Sequence, residues 1–318
     1  MRGAVVARLV MDRRTSSVVL IVVSALIWGS SFPAIKVTLG GAHDEFSFSF
    51  VMSFARLSIS AVLGLAILLV TKRFRASIFR HPVVWILGFL NAVSFILQHA
   101  GLAFTTASKT SLLVNFNVVF VAILSYVFFR ERLGPRKIAG VLLGICGVVV
   151  LETGLDLASF RGGEMIGDIM VFSAGFSWAL YVLFTKRAVD SDFDYVDLSI
   201  AVIVATIPFL LFPLPFVDLG QPIATGSWVG VLYLGLVTTL PPLIMWSKAL
   251  RNVTATVSSV LLLFEVLFAV LLSIIAIGET FLIVYVLGGA MILLGGILAT
   301  STRDKGALIQ EPPTSPIQ

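Results

Sequence analysis

Charge is scarce in this chain. Only 12% of its 318 residues are Asp, Glu, Lys or Arg, against roughly 25% in a soluble domain, which excludes a water-facing globule. Cysteine is nearly absent. The single Cys146 lies in an apolar run, so it forms no internal disulfide and no thiolate metal cluster; it reads as a small buried apolar residue. The three histidines, His43, His81 and His99, are scattered and lack an acidic cluster, which leaves neither a catalytic nor a metal constellation. No Gly-x-x-x-x-Gly-Lys-Ser/Thr loop is present, which disfavours an ATP-driven pump. The net charge of +5 is no signature of nucleic-acid binding, because the basic residues fall in short loops between apolar runs.

What is abundant is apolar. Hydrophobic residues make up 58% of the chain and the mean hydropathy is +1.05. A membrane span needs about 20 mostly apolar residues. Ten such runs are present, at 18–37, 47–70, 83–104, 108–129, 138–153, 166–186, 197–217, 228–248, 254–277 and 281–300, leaving no room for a soluble domain. Residues 1–17, with Arg2, Arg8, Arg13 and Arg14, read as a cytoplasmic segment leading into a retained first helix, and Met11 as a second plausible translation start. Residues 301–318, with Pro312, Pro313 and Pro316, read as a disordered cytoplasmic tail. All basic residues except Lys36, Arg56, Lys109 and Arg161 fall at one side of the spans. That asymmetry predicts a multi-pass protein of the cytoplasmic membrane with both termini inside.

The chain repeats itself. A shift of 148 carries Ala107, Ser111, Glu131, Gly140 and Gly147 onto Ala255, Ser259, Glu279, Gly288 and Gly295; a shift of 150 carries Trp28 and Lys36 onto Trp178 and Lys186. The predicted repeats are 18–153 and 166–300. Each holds five spans, an odd number, so the second enters the membrane from the opposite side. The expected fold is therefore all-α and integral to the membrane: ten transmembrane helices as two inverted five-helix repeats, a design of many secondary transporters.

Polar residues inside the spans mark candidate substrate or coupling positions. Thr254, Ser258, Leu261 and Glu265 share one helical face, and Thr106, Thr110, Leu113 and Asn117 are their equivalents, with Asn115 nearby. For the Ser and Thr positions interhelical hydrogen bonding is the favoured reading over a cavity. Glu265 is different: a charged acid at mid-span costs about 2.5–3.5 kcal/mol to insert, which marks it as a binder of a coupling proton or a cationic group, with a helix-to-helix salt bridge as the alternative. Arg56 is its obvious partner, and its planar fork suits a carboxylate. A structural Arg56–Glu265 pair is slightly favoured; if both instead touch ligand, the substrate carries both charges, as an amino acid does. Gln98 and His99 add polarity in the third span, His99 reading as a satisfied hydrogen-bonding residue. Trp28, Trp178 and Tyr181 lie near mid-span and suit a cavity wall. Trp28–Pro33 and Pro241-Pro242 predict irregular helices. Glu131 and Glu279 read as structural hairpin residues that bind backbone amides or nearby Arg. Lys36 and Lys186 read as helix C-terminal cations. Gly140, Gly144, Gly147, Gly288 and Gly295 form a close-packing face, either scaffold or a homodimer contact through spans 5 and 10.

Together these pieces resemble the drug/metabolite transporter superfamily, specifically permeases with two EamA domains. The resemblance rests on Ile27–Phe32 with Lys36, Thr105–Ser108, Arg130–Leu133 followed by Gly140 and Gly147, and Gly278-Glu279 followed by Gly288 and Gly295. It covers about residues 18–300. It implies a cavity lined by spans 1–4 and 6–9, spans 5 and 10 outside, no cofactor, and export of amino acids, other metabolites or drugs. Val118 and Val266 stand where the family often has proline, which implies that spans 4 and 9 bend less here. The leading reading is a secondary active transporter working by alternating access on small polar metabolites such as amino acids, with the lipid bilayer as its other partner. The alternatives are a membrane-embedded enzyme, for which no clustered acids, histidines or metal site speak, and a structural or assembly membrane protein.

Overall fold

The computed structural model describes residues 2–40, 44–156, 158, 162–191, 193–218, 225–278, 280 and 282–301. No strand occurs among the described residues. The helices are α1 (Arg2–Gly29), α2 (Ser31–Leu39), α3 (Glu45–Val70), α4 (Pro82–Leu102), α5 (Ala107–Asn115), α6 (Asn117–Phe129), α7 (Pro135–Thr153), α8 (Met165–Asp190), α9 (Tyr195–Leu210), α10 (Thr225–Leu236), α11 (Leu240–Leu250), α12 (Ala255–Leu262), α13 (Phe264–Ile277) and α14 (Val284–Thr300). The tail 302–318 and Glu279 lie outside the described residues.

Among the described residues, seven helical stretches are long and apolar enough to cross a membrane: 13–39, 46–70, 82–102, 109–129, 165–190, 226–250 and 255–277. They match seven of the ten runs in the sequence. The other three differ for physical reasons. Helices α9 and α14 are apolar but shorter, at 16 and 17 residues, and α7 carries Arg136, Lys137 and Glu152. Large hydrophobic side chains are exposed all around the helices, for example Val62, Phe128, Phe212 and Ile275, as expected where lipid rather than water is the solvent.

Packing is close wherever small residues allow it. Helices α7 and α14 meet through a glycine seam, and the contact is reciprocal. A Cβ added at Gly147 would sit 2.7 Å from the Gly288 carbonyl oxygen, and one added at Gly288 would sit 2.9 Å from that of Gly147. Gly140 and Gly295 oppose each other likewise, at 2.8 Å in both directions. The glycine face is thus spent inside the chain rather than offered to a second copy. Overpacking of this kind costs about 1–3 kcal/mol. Gly147→Ala is expected to lower the melting temperature in detergent by that equivalent, whereas Gly134→Ala, which meets nothing within 4 Å, leaves it unchanged.

Polar rivets fix the other helix pairs. Asn91 on α4 donates to Thr206 on α9 at 3.0 Å, and Ser177 on α8 donates to the Leu90 carbonyl at 3.0 Å. Ser24 on α1 donates to the Pro242 carbonyl on α11 at 3.1 Å. Gly29 brings α1 against the backbone of α13, where an added Cβ would lie 2.8 Å from the Glu265 carbonyl oxygen. At the end that carries the basic loops, Arg73 pairs with Asp194 at 2.8 Å and Asp197 at 3.1 Å, and Lys186 donates to Asp190 and the Leu250 carbonyl, both at 2.8 Å.

Candidate functional site

Four spans are interrupted, and the interruptions present the polar residues. The first breaks at Ser30, between α1 and α2. Pro33 supplies no backbone N–H, and the Ser30 and Ser31 hydroxyls satisfy the Ile27 and Trp28 carbonyls at 2.6 Å each. The eighth breaks between α10 and α11 ahead of Pro241-Pro242, where Thr238 and Thr239 both donate to the Leu234 carbonyl. Spans 4 and 9 each carry a one-residue irregularity, at Phe116 and at Leu263. A tight three-residue hydrogen bond replaces proline at each: Val119 N–H to the Phe116 carbonyl at 2.9 Å, and Val266 N–H to the Leu263 carbonyl at 3.1 Å.

The two equivalent polar faces divide by role along their length. Thr106 and Thr254 are N-caps, accepting from the Lys109 and Val257 amides respectively. Ser258 is fully buried and its hydroxyl accepts the Trp246 indole N–H at 2.8 Å, so it is a structural partner rather than an open position. Asn115 donates to the Ser111 carbonyl at 2.8 Å. The Thr110 hydroxyl is buried and has no hydrogen-bond partner among the described residues. At the far end, Asn117 and Glu265 are half-buried.

Glu265 and Arg56 are the charged centre, and they do not form the direct ion pair expected from the sequence. Arg56 is 8% exposed. Its Nε donates to Thr239 Oγ1 at 3.3 Å and its guanidinium lies over the Phe95 ring, 5.7 Å from the centroid. These contacts hold the guanidinium of α3 against the α10–α11 junction and α4. The two charges still lie close enough to feel each other. Glu265 has no hydrogen bond or ion pair among the described residues.

A line of aromatic rings runs past this centre. Phe50 and His99 are 5.4 Å apart, His99 and Phe95 6.1 Å, Phe95 and Trp178 5.5 Å, Trp178 and Tyr181 5.6 Å, Tyr181 and Trp246 6.1 Å, and Trp246 and Trp28 6.3 Å between centroids. It joins α3, α4, α8, α11 and α1, and so gathers Trp28, Trp178, Tyr181 and His99 with Arg56. His99 Nδ1 bonds the Phe95 carbonyl at 2.7 Å and Nε2 faces the Ser53 hydroxyl at 3.4 Å. Sequence reading missed Phe95 and Trp246. One signal for Trp246 exists: the 148 shift carries it back onto Gln98. Gln98 and Asn117 are half-buried, with no hydrogen bond among the described residues.

Glu131 is structural, but through other partners than the amides and arginines expected. Its carboxylate takes Lys137 Nζ at 3.0 Å and the Thr256 hydroxyl at 3.0 Å, so it bridges the start of α7 to α12. No group of three or more His, Cys, Asp or Glu suited to a metal occurs among the described residues. An open cleft lined by Val189, Asp190, Ser191 and Arg251 lies about two turns along α8 from Tyr181 and is separate from the charged centre.

Apolar membrane-length helices broken around buried charges define a multi-pass membrane protein. The chain belongs to the EamA-like transporter family, which matches it twice, over residues 15–153 and 165–301, in keeping with the drug/metabolite transporter superfamily; it is a membrane transporter. Similar proteins include the uncharacterized transporter YdfC of Bacillus subtilis, 28% identical over 278 residues, covering 86% of this chain and 87% of that one. An uncharacterized transporter of Archaeoglobus fulgidus is 28% identical over 293 residues, covering 90% and 98%. A protein of known crystal structure shares the fold with a TM-score of 0.76 at 20% identity, covering 90% of this chain and 96% of its own.

Proposed function

We propose that the protein is a secondary active transporter that exports small polar metabolites of the amino-acid type across the cytoplasmic membrane by alternating access. The observation that carries this is the Arg56–Glu265 centre. A guanidinium and a carboxyl group lie near each other on the spanning helices, with no direct bond between them among the described residues, beside a wall of aromatic rings. A carboxylate on Arg56 and an ammonium on Glu265 would complete both groups at once, and the rings suit the apolar part of such a solute.

Ten spans arranged as two inverted repeats fit the same reading. Under the 148 shift, Gly140 maps to Gly288 and Gly147 to Gly295, yet the contacts join Gly140 to Gly295 and Gly147 to Gly288. That crossed reciprocity is what a two-fold between α7 and α14 produces. The matching N-caps Thr106 and Thr254 support it, as do the matching breaks near Phe116 and Leu263. The basic loops support an orientation with both termini in the cytoplasm. A homodimer would need the outer faces of α7 and α14, since their glycines already face each other.

The test is counterflow in proteoliposomes with a matched set: zwitterionic amino acids, their carboxamides and their decarboxylated amines. Saturable exchange of the zwitterions that falls for both single-charge analogues supports the reading. Equal exchange of all three contradicts a two-charge site.

A further inference from the structure

One buried acid takes no part in the site above. Glu152 is the penultimate residue of α7, at the end away from the basic loops, and is half-buried. Its Oε1 accepts the Ser111 hydroxyl of α5 at 2.7 Å. The Ser111 carbonyl in turn accepts Asn115 Nδ2 at 2.8 Å, one residue before the break between α5 and α6. A short polar line therefore runs from Glu152 to the interruption of the fourth span.

Among the described residues nothing charged compensates this carboxylate. A helix C-terminus disfavours a negative charge, and the only partner of Glu152 among the described residues is the neutral Ser111 hydroxyl. The helices packed against α7 are α5, α6, α12, α13 and α14. Their titratable side chains are Lys109 on α5, Tyr126 on α6, Glu265 on α13 and Tyr285 on α14; α12 has none. Lys109, the one cation of the set, is committed to Asp168 at 2.9 Å, and Asp168 is further bound by Thr105. Beyond the end of α7 the Leu282 and Val284 side chains pack toward Gly154.

We propose that Glu152 is a proton-binding carboxyl, reached from the extracytoplasmic side, whose protonation governs the hold of α7 on the half-helix α5. A proton from water converts the carboxylate to the neutral acid, with no other bond made or broken. The charge-assisted bond from Ser111 then becomes a weaker neutral one, and α5, with Asn115 at its break, is released from α7. This deepens the transport reading: Glu265 and Arg56 bind the solute, and Glu152 couples the cycle to the proton gradient.

A first test needs no solute. In pH-difference infrared spectra of the lipid-reconstituted protein, lowering the pH is expected to raise a protonated-carboxyl stretch. That component is expected to vanish in Glu152→Gln and to persist in Glu265→Gln. A Glu152→Gln spectrum identical to wild type overturns the proposal. A second test separates coupling from structure, because Gln still accepts the Ser111 hydroxyl. Glu152→Gln is expected to retain counterflow while losing accumulation driven by a pH gradient by about tenfold or more, roughly 1.4 kcal/mol of coupling. Wild-type accumulation in the variant, or a parallel loss of counterflow and accumulation, overturns the proton role. Absence of counterflow in the wild type across all solutes would instead strike the transport reading and leave the infrared result standing.

Discussion

Glu265→Gln is expected to abolish saturable counterflow of zwitterionic solutes while the protein still inserts and folds. Glu265 makes no ion pair or hydrogen bond among the described residues, so the fold does not depend on its charge. Its neighbour across the gap is Arg56, itself held by Thr239 and Phe95. Removing one carboxylate thus takes away the group that would meet a solute ammonium and leaves the packing of α13 on Gly29 intact. Truncating one partner of a desolvated charge pair costs about 2–5 kcal/mol, and even the lower figure weakens binding roughly thirtyfold. Exchanging the charges, Arg56→Glu with Glu265→Arg, is not expected to restore activity, because Thr239 and Phe95 are built to hold a guanidinium on α3. Full restoration by the swap would mean that the two residues serve one another and not a solute. The checks are counterflow rate and a size-exclusion profile from the same preparation.

Lys137→Met is expected to be the most destabilising single change. Lys137 is completely buried and Glu131 nearly so, with side-chain exposures of 0% and 7%. Their contact at 3.0 Å is supplemented by Thr256 of α12, so the pair ties the two halves of the chain at the end that carries the basic loops. Breaking a buried pair by removing one partner costs about 3–5 kcal/mol because the other charge is left uncompensated. The double variant Lys137→Met with Glu131→Gln removes both charges and is expected to recover most of that loss. Thermal unfolding in detergent reads both. A single variant as stable as wild type would show that water reaches Glu131 and that the pair is not structurally important.

Much of this was legible in the chain. Hydropathy gave the membrane helices, because each must satisfy its own backbone in lipid, and the recurrence of Ala107, Glu131 and Gly140 exposed the internal repeat. Glu265 and Arg56 stood out as charges where charge is expensive. What was not legible depended on helix-to-helix geometry. The breaks at Phe116 and Leu263 come from a local tightening of the hydrogen-bond ladder, which no proline announces. The direct pairing of Arg56 with Glu265 failed because Thr239 and Phe95, far apart in sequence, compete for the guanidinium. Phe95 and Trp246 were missed since a single aromatic residue in an apolar helix looks like lipid-facing bulk; only the packing of α4, α8 and α11 turns them into a wall. The glycine face looked free for a dimer until α14 was placed on it. Glu152 sits at the end of a span, where a lone acid looks like ordinary loop polarity.

The central claim is that the protein alternates access to its polar interior between the two sides of the membrane. The most direct measurement places a cysteine at Asn117, on the half-buried polar face, in a Cys146→Ser background. Sealed vesicles are then exposed to an impermeant maleimide from one side or the other. The account predicts labelling from both sides, with a transported solute raising one rate and lowering the other. Labelling from one side alone, unmoved by any solute that exchanges, would contradict it.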